Sequence, residues 1–426
     1  MVARTSGVAN LWEPYGLRGS PFFQDELRPG AAEHPMGLFV GREVEVRRVH
    51  RRIISDAGSR SIVEGEPGVG KTSFINRVKA EVAESGVATY EHPIRIQSGS
   101  TAATLIGDVL RLLLRIRLAS ARTSDAGGFW SRTARLLEGG ELMGATIGAF
   151  GVSGGVSRGY AAPQVAQDSL YEHLGEALER IRGESGRGVV IHVNNLENLT
   201  EEDAEEASAL LRDLRDHLML PGAHWIFGGA AGVDTVFRRH AQVDGIFPAP
   251  ESLAPLAPEH IEALLRLRYD HLSIPRRRRV SPIEPAVAAR LYSLYQGDLR
   301  SFLRLLADAA ERGLGLAGVR PMEADEVLRH TRDDYGRHLR QRTGEGDFEH
   351  LRGLTLATGS AHEFRVTDAA RILEMKQSSA SQLMDRLQRA RVIRRVRTEG
   401  KSVFYRPVGS VLVAFGGAGD LFGAAE

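Results

Sequence analysis

The eight residues Gly65-Glu66-Pro67-Gly68-Val69-Gly70-Lys71-Thr72 constrain this chain more than any other stretch. They satisfy G-x-x-x-x-G-K-[ST] at every fixed position, and both flanks suit the pattern. Ser59-Arg60-Ser61-Ile62-Val63-Glu64 comes before as a short apolar run that predicts a buried strand. Ser73-Phe74-Ile75-Asn76-Arg77-Val78-Lys79 comes after, with Phe74, Ile75 and Val78 on one side of an expected helix. Strand, glycine turn and helix in that order curl backbone N–H groups inward, and the helix N-terminus adds partial positive charge. Such a turn binds phosphate. Lys71 is expected to reach the β- and γ-phosphates and the Thr72 hydroxyl to ligate Mg²⁺. Gly65, Glu66, Pro67, Gly68, Val69, Gly70 and Ser73 complete the expected nucleotide cradle. The alternative is a glycine turn with an incidental lysine. Against it, the chain contains only four lysines (Lys71, Lys79, Lys376 and Lys401), and one of them fills the phosphate slot.

At 426 residues the chain is long enough for two to four domains, and 42% apolar residues can supply real cores. The absence of cysteine excludes disulfides, thiolate catalysis and Cys-ligated zinc. No apolar run approaches the ~18 residues of a membrane-spanning helix, and the N-terminus lacks a signal-peptide pattern, so a cytoplasmic location is expected. The net charge of +1 conceals segregation. Arg386 to Arg406 holds eight bases and one acid, whereas Glu197 to Glu206 is strongly acidic.

The pattern of elements predicts an α/β fold. Residues 1–37, rich in Pro and Gly, are expected to form an extended arm. Residues 38–252 alternate helices and strands, with strands at 88–96, 189–193 and 223–227 and helices at 102–118, 165–182 and up to about Met219. This order predicts a parallel sheet covered on both faces. A segment at 119–163, dense in Gly, Ala and Ser, interrupts it. Every periodic segment from Pro258 to about Arg342 reads as helical, so residues 253–343 are expected to form a separate helical bundle, residues 344–413 a third unit, and 414–426 a Gly-rich, flexible tail.

Taken in order, these motifs resemble an AAA+ ATPase of the origin-recognition/initiator branch. Phe39-Val40-Gly41-Arg42-Glu43 is similar to that family's N-terminal box, which packs near the adenine, and Gly65–Thr72 to its Walker A loop. Ser252 to Ile261 is similar to the crossing from the last core strand into a helical lid. Gly297-Asp298-Leu299-Arg300 resembles sensor 2, whose arginine reaches the γ-phosphate. The resemblance covers about 370 residues and implies a P-loop core, a helical lid and a C-terminal winged helix-turn-helix, with ATP and Mg²⁺ bound. Phe39, Val40 and Arg300 thereby join the expected cofactor site, and a homo-oligomer or a protein partner becomes an expectation.

The departures concern hydrolysis. The strand expected to end in Asp and Glu ends instead in Asn194-Asn195-Leu196-Glu197. Asn194 can bond a metal-bound water but brings no charge, and Asn195 cannot act as a general base. Glu197 either substitutes as the catalytic carboxylate or begins a solvated acidic helix. Gly228-Gly229 stands where a polar sensor 1 side chain is expected. Arg238 or Arg239 is either an arginine finger or a surface charge. Binding of ATP with slow or absent turnover is the expectation, with Lys71, Glu197 and Arg300 as the catalytic candidates.

Near the C-terminus, helices at 347–358, 367–373 (Thr367 as N-cap) and 378–390 (Ser378 as cap) precede strands at 392–397 and 402–406. Three helices closed by a hairpin predict a winged helix, with the third helix in the major groove and the hairpin along a phosphate backbone. Gln377, Ser379, Ser381 and Gln382 are the candidate base-reading residues. Arg394, Arg395, Arg397, Lys401 and Arg406 are the candidate phosphate contacts. Arg276-Arg277-Arg278-Arg279 is either a further phosphate contact or a solvated linker. The reading is an ATP-gated switch on duplex DNA, in replication, mobile-element or defence settings. The alternatives are a signalling NTPase whose winged helix binds protein, and an ATP-bound scaffold.

Overall fold

Short runs of β-branched and aromatic residues, buried on both faces, build a parallel sheet in the N-terminal half of the chain. In the computed structural model the described residues are 10–97, 100–120, 128–137, 164–196, 204–234, 241–358, 363–400 and 402–416. They fall into two units, Glu26–Leu253 and a second formed by residues up to Asp25 together with those from Ala254 onward.

In the first unit, β1 (Ser59–Glu64), β2 (Ile94–Arg95), β3 (Val189–Asn194), β4 (Ala223–Gly229) and β5 (Glu251–Ser252) pair in the order β2-β3-β4-β1-β5, all parallel. One face carries α1 (Glu43–Ser55) and α2 (Lys71–Glu84), which enclose Val46, Ile53, Val63, Phe74 and Val78. Residues of α3 (Ala102–Ala119), α4 (Gln164–Ser185), α5 (Ala204–Asp213) and α6 (Arg215–Leu218) form another core with Ile62, Ile191 and Trp225. A short α7 (Ala241–Asp244) precedes β5. Buried Glu251 on β5 draws in Arg48 at 2.6 Å and Arg52 at 3.6 Å, which fixes α1 against the sheet.

Two sequence expectations are revised in this unit. The strand expected at 88–96 is reduced to Ile94–Arg95 and a single bridge from Ala88 to Val189. Pro93 lacks an N–H, and buried Lys79 captures the Tyr90 and Glu91 carbonyls at 2.7 and 2.9 Å, removing ladder acceptors. The helix expected to run to Met219 is divided into α5 and α6. Within the 119–163 segment, Phe129, Trp130 and Leu137 are buried in the core, so part of it is structural. The rest, 121–127 and 138–163, lies outside the described residues.

The second unit contains α8 (Pro258–Leu272), α9 (Pro285–Tyr292), α10 (Leu299–Gly313) and α11 (Ala324–Thr343). Residues 10–25 are not an extended arm but part of this helical core. Trp12, Tyr15, Leu17 and Phe22 are buried with Ile261, Tyr269 and Phe302, because apolar burial outweighs the Pro/Gly signal. The Arg268 guanidinium stacks 3.8 Å from the Phe23 ring centroid and donates to the carbonyls of Pro21 and Phe23 at 3.0 and 2.8 Å.

Then come α12 (Glu345–Ala357), α13 (Val366–Ile372), α14 (Gln377–Arg389), and an antiparallel hairpin of β6 (Ile393–Glu399) and β7 (Ser402–Pro407). Leu383, Met384 and Leu387 face a core with Phe348, Leu351 and Ile393. Arg365, not Thr367, is the N-cap of α13: its backbone N–H donates to Asp368 at 3.0 Å. Lys376, not Ser378, precedes α14. A final α15 (Gly409–Phe415) buries Val411, Leu412 and Val413, so residues 414 and 415 belong to a helix rather than the expected tail. Among the described residues, no helix is long and apolar enough to cross a membrane.

Candidate nucleotide-binding site

The phosphate-binding motif leaves β1 at Glu64 and enters α2 at Lys71. Gly68 and Gly70 take φ values of +79° and +99°, which side-chain-bearing residues rarely adopt. A Cβ on Gly65 would approach Leu253 O and Val69 Cγ1 to 3.0 Å, so the turn is packed from behind. Gly70 N-caps α2 in this left-handed conformation, and the helix dipole aims at the turn. Lys71 Nζ folds over the loop and donates to the carbonyls of Gly65 at 2.7 Å and Glu66 at 3.2 Å. Glu66 and Pro67 are exposed on the outer rim and Val69 is buried beneath it. Thr72 stands half-buried at the second position of α2. The Ser73 hydroxyl is engaged elsewhere, accepting from the Leu27 N–H at 3.2 Å and so tethering the chain segment before α1.

Phe39 packs half-buried against the α1/α2 core, and Val40 is also half-buried. Behind them Gly41 and Arg42 take consecutive left-handed φ values of +69° and +66°. For arginine this conformation costs roughly 1–2 kcal/mol. Its result is to swing the Arg42 guanidinium to the glycine turn, with Nη1 3.6 Å from the position a Cβ on Gly70 would take. Sequence reasoning quoted Arg42 within the box but did not assign it to the site. The signal was the glycine before it, which permits the tight entry into α1.

Asn194 ends β3, and its amide oxygen covers the neighbouring strand: a Cβ on Gly228 would lie 2.8 Å from Asn194 Oδ1 and 3.5 Å from Ile75 Cδ1 on α2. The neutral side chain thus fills the space above a glycine where sensor 1 was expected to place a polar group. Asn195 leaves the strand at φ +65°, a conformation that Asn tolerates better than the expected Glu. Glu64, buried before the loop, was also missed. It accepts from the Gly232 N–H at 3.0 Å and from the Ser252 hydroxyl at 2.7 Å, which holds the segment after β4 against the end of β5. Its only signal was an acid at the end of an apolar strand.

The backbone donors, Lys71 and Arg42 suit the phosphate chain of a nucleotide. Thr72 and Asn194 could hold Mg²⁺ only through neutral oxygens. Glu197, Arg238, Arg239 and Lys401 lie outside the described residues. In the second unit Arg300 is exposed on the first turn of α10, whose N-cap Asp298 accepts from the Ser301 N–H at 3.0 Å.

The candidate DNA-facing residues divide into two groups. Gln377, Ser379, Ser381 and Gln382 are all exposed on α14. Of the hairpin cations, Arg397 pairs with Glu363 at 3.1 Å and with Glu399, and lies 4.2 Å from the Phe404 ring centroid. Arg395 donates to the Thr398 hydroxyl. Arg406 is half-buried and opposite Arg394, and burial followed by the Arg394 charge pulls its pKa below the ordinary value. Arg394 donates to the Gln296 side-chain oxygen at 2.5 Å. In the Arg276–Arg279 run, Arg277 pairs with Glu13 at 2.9 Å and Arg279 pairs with Asp270.

Residues 38–220 match the AAA ATPase domain family. A search of characterised protein sequences found no match. Among solved structures, ORC2 of Aeropyrum pernix, determined as ADPNP–ADP complexes, is 13% identical with a TM-score of 0.50, covering 92% of this chain and 95% of that one. The Walker-type ATPase PABY2304 of Pyrococcus abyssi is 13% identical with a TM-score of 0.49, covering 93% and 99%. ORC1 of Aeropyrum pernix, in complex with DNA, is 15% identical with a TM-score of 0.45, covering 96% of each chain. At these identities the likeness is one of fold, and ORC2 carries it.

Proposed function

Because residues 38–220 match the AAA ATPase domain family, in a chain whose fold is like that of an origin-recognition protein, we propose that this protein is an ATP-gated switch acting on duplex DNA. The observation that carries the nucleotide half is the glycine turn with Lys71 and Arg42 gathered at it. Lys71 leaves its carbonyl partners to hold the β- and γ-phosphates, while backbone N–H groups of the turn and of α2 orient them. Thr72 would ligate Mg²⁺, and Asn194 would bond a coordinated water; bound Mg²⁺ supplies charge neutralisation between the phosphates. Phe39 and Val40 are assigned to the adenine side and Arg300 to sensing the γ-phosphate. With neutral Asn194 and Asn195 at the end of β3, turnover is slow, and Glu197 is the remaining candidate base.

For the DNA half we read α12–α14 and the hairpin as a winged helix. Gln377, Ser379, Ser381 and Gln382 would face the bases, and Arg395, Arg397, Lys401 and Arg406 the phosphates. A second reading, a protein partner on the same surface, is favoured by the pairing of Arg397 with two carboxylates of its own chain. Salt titration separates the two. Four phosphate contacts would weaken duplex affinity by about 3.6 log units per log unit of salt. Undetectable or salt-insensitive binding rejects DNA as the partner. For ATP, Lys71→Met should cost about 2–3 kcal/mol, roughly 30- to 150-fold in affinity, by calorimetry with Mg²⁺. Unchanged affinity would reject the site.

A further inference from the structure

The turn before α10 is held from two directions within the second unit. Gln296 takes φ +46° and Gly297 φ +97°, so two successive residues turn left-handed immediately before Asp298 caps the helix that carries Arg300. On one side Pro255 closes on Gly297: a Cβ there would lie 2.7 Å from Pro255 Cγ. On the other, the C-terminal elements reach the turn at two points. Gly409, the first residue of α15, packs so tightly on Tyr295 that a Cβ would lie 2.5 Å from its ring. Arg394 of β6 donates to the Gln296 side-chain oxygen at 2.5 Å.

This contact is incompletely satisfied. Gln296 Nε2 and Arg406 Nε are buried without hydrogen-bond partners among the described residues. Arg394 and Arg406 stand directly opposite in the hairpin, where like charges repel. A left-handed glutamine, an orphaned amide and two facing guanidinium groups each cost free energy in this arrangement. A contact so strained can exchange with an alternative state for a small differential input.

We propose that Gln296 and Arg394 form a latch that ties the position of the hairpin to the start of the Arg300 helix, so that nucleotide sensed at Arg300 repositions the hairpin through this pair. Gln296 is thus a positioning residue. The inference rests on the nucleotide half of the function proposed above and is independent of what the hairpin binds.

Amide hydrogen exchange of the full chain, with and without ATP and Mg²⁺, tests it. Nucleotide should change exchange in the glycine turn and, by about threefold or more, in strands 393–399 and 402–407. Gln296→Asn tolerates the left-handed backbone but is one methylene too short to reach Arg394. It should abolish the hairpin response while the glycine-turn response persists, and Arg394→Met should do the same. Gln296→Glu, which can still accept from Arg394, should retain the response. A hairpin response that survives in Gln296→Asn overturns the latch and leaves the nucleotide reading standing. So does a hairpin that stays silent in the wild-type chain while the glycine turn responds. Silence at the glycine turn itself sinks the nucleotide reading and the latch together.

Discussion

Asn194 and Gly228 share one volume at the carboxyl ends of β3 and β4: the asparagine oxygen lies 2.8 Å from where a Cβ on Gly228 would be. The glycine is therefore a condition for the asparagine. Gly228→Ala must displace a short, poorly adjustable amide that lies beside α2. We expect it to destabilise the chain by about 1–3 kcal/mol in urea unfolding. In an Asn194→Ala background the same change should be nearly neutral, giving a coupling of at least about 1 kcal/mol in a double-mutant cycle. Additive effects would show that the two residues do not contend for this space.

The left-handed Asn195 predicts an obstacle to restoring catalytic acids at the end of β3. Asn195→Glu should lower stability by roughly 1 kcal/mol, since Glu lacks the short polar side chain that eases this conformation. Asn194→Asp meets no such backbone penalty and should raise ATP affinity only when Mg²⁺ is present. Calorimetry in Mg²⁺ and in chelator provides the comparison. An equal gain in both would place the new carboxylate away from the metal.

Lys79 is buried on the inner face of α2, and desolvation pulls its pKa from 10.5 to about 8 despite nearby Glu26 and Glu91. Its folded-state pKa lies below the unfolded one, so folding is penalised below pH 8, where both states are charged. The penalty fades as pH rises from about 8 towards 10.5, and stability rises with it. The gain attributable to Lys79 is at most about 3 kcal/mol. Burial raises the hydroxyls of Tyr269 and Tyr335, which acts in the opposite sense above about pH 10. The informative quantity is therefore the difference between wild type and Lys79→Met in unfolding at pH 7.5 and 9.5. Parallel pH profiles would exclude a charged, desolvated Lys79.

Arg268 fastens residues 21–23 to α8 through two carbonyls and a ring stack. Lysine offers a compact ammonium in place of the planar fork and cannot reproduce both the spread of donors and the stacking. Arg268→Lys should cost about 1–3 kcal/mol. It should also increase limited-proteolysis cleavage within residues 10–25 more than elsewhere. Uniform cleavage would mean that this arginine does not specifically hold the segment.

The clearest features of the chain could be read from short runs of neighbouring residues before any packing was known. Gly65–Thr72 announced the turn; Val189–Val193 and Ala223–Phe227 announced buried strands; Leu383, Met384 and Leu387 announced one face of a helix. These signals are legible because strand and helix periods and glycine conformations act over a few residues. Tertiary structure alone decided that Arg42 swings to Gly70, that Glu64 binds the segment after β4, and that Trp12, Tyr15 and Phe22 join a helical core instead of an arm. It also gave Arg394 to Gln296, 98 positions away, although a run of basic residues had suggested phosphate. Such pairings depend on which surfaces the packed elements bring together, and no local period records that.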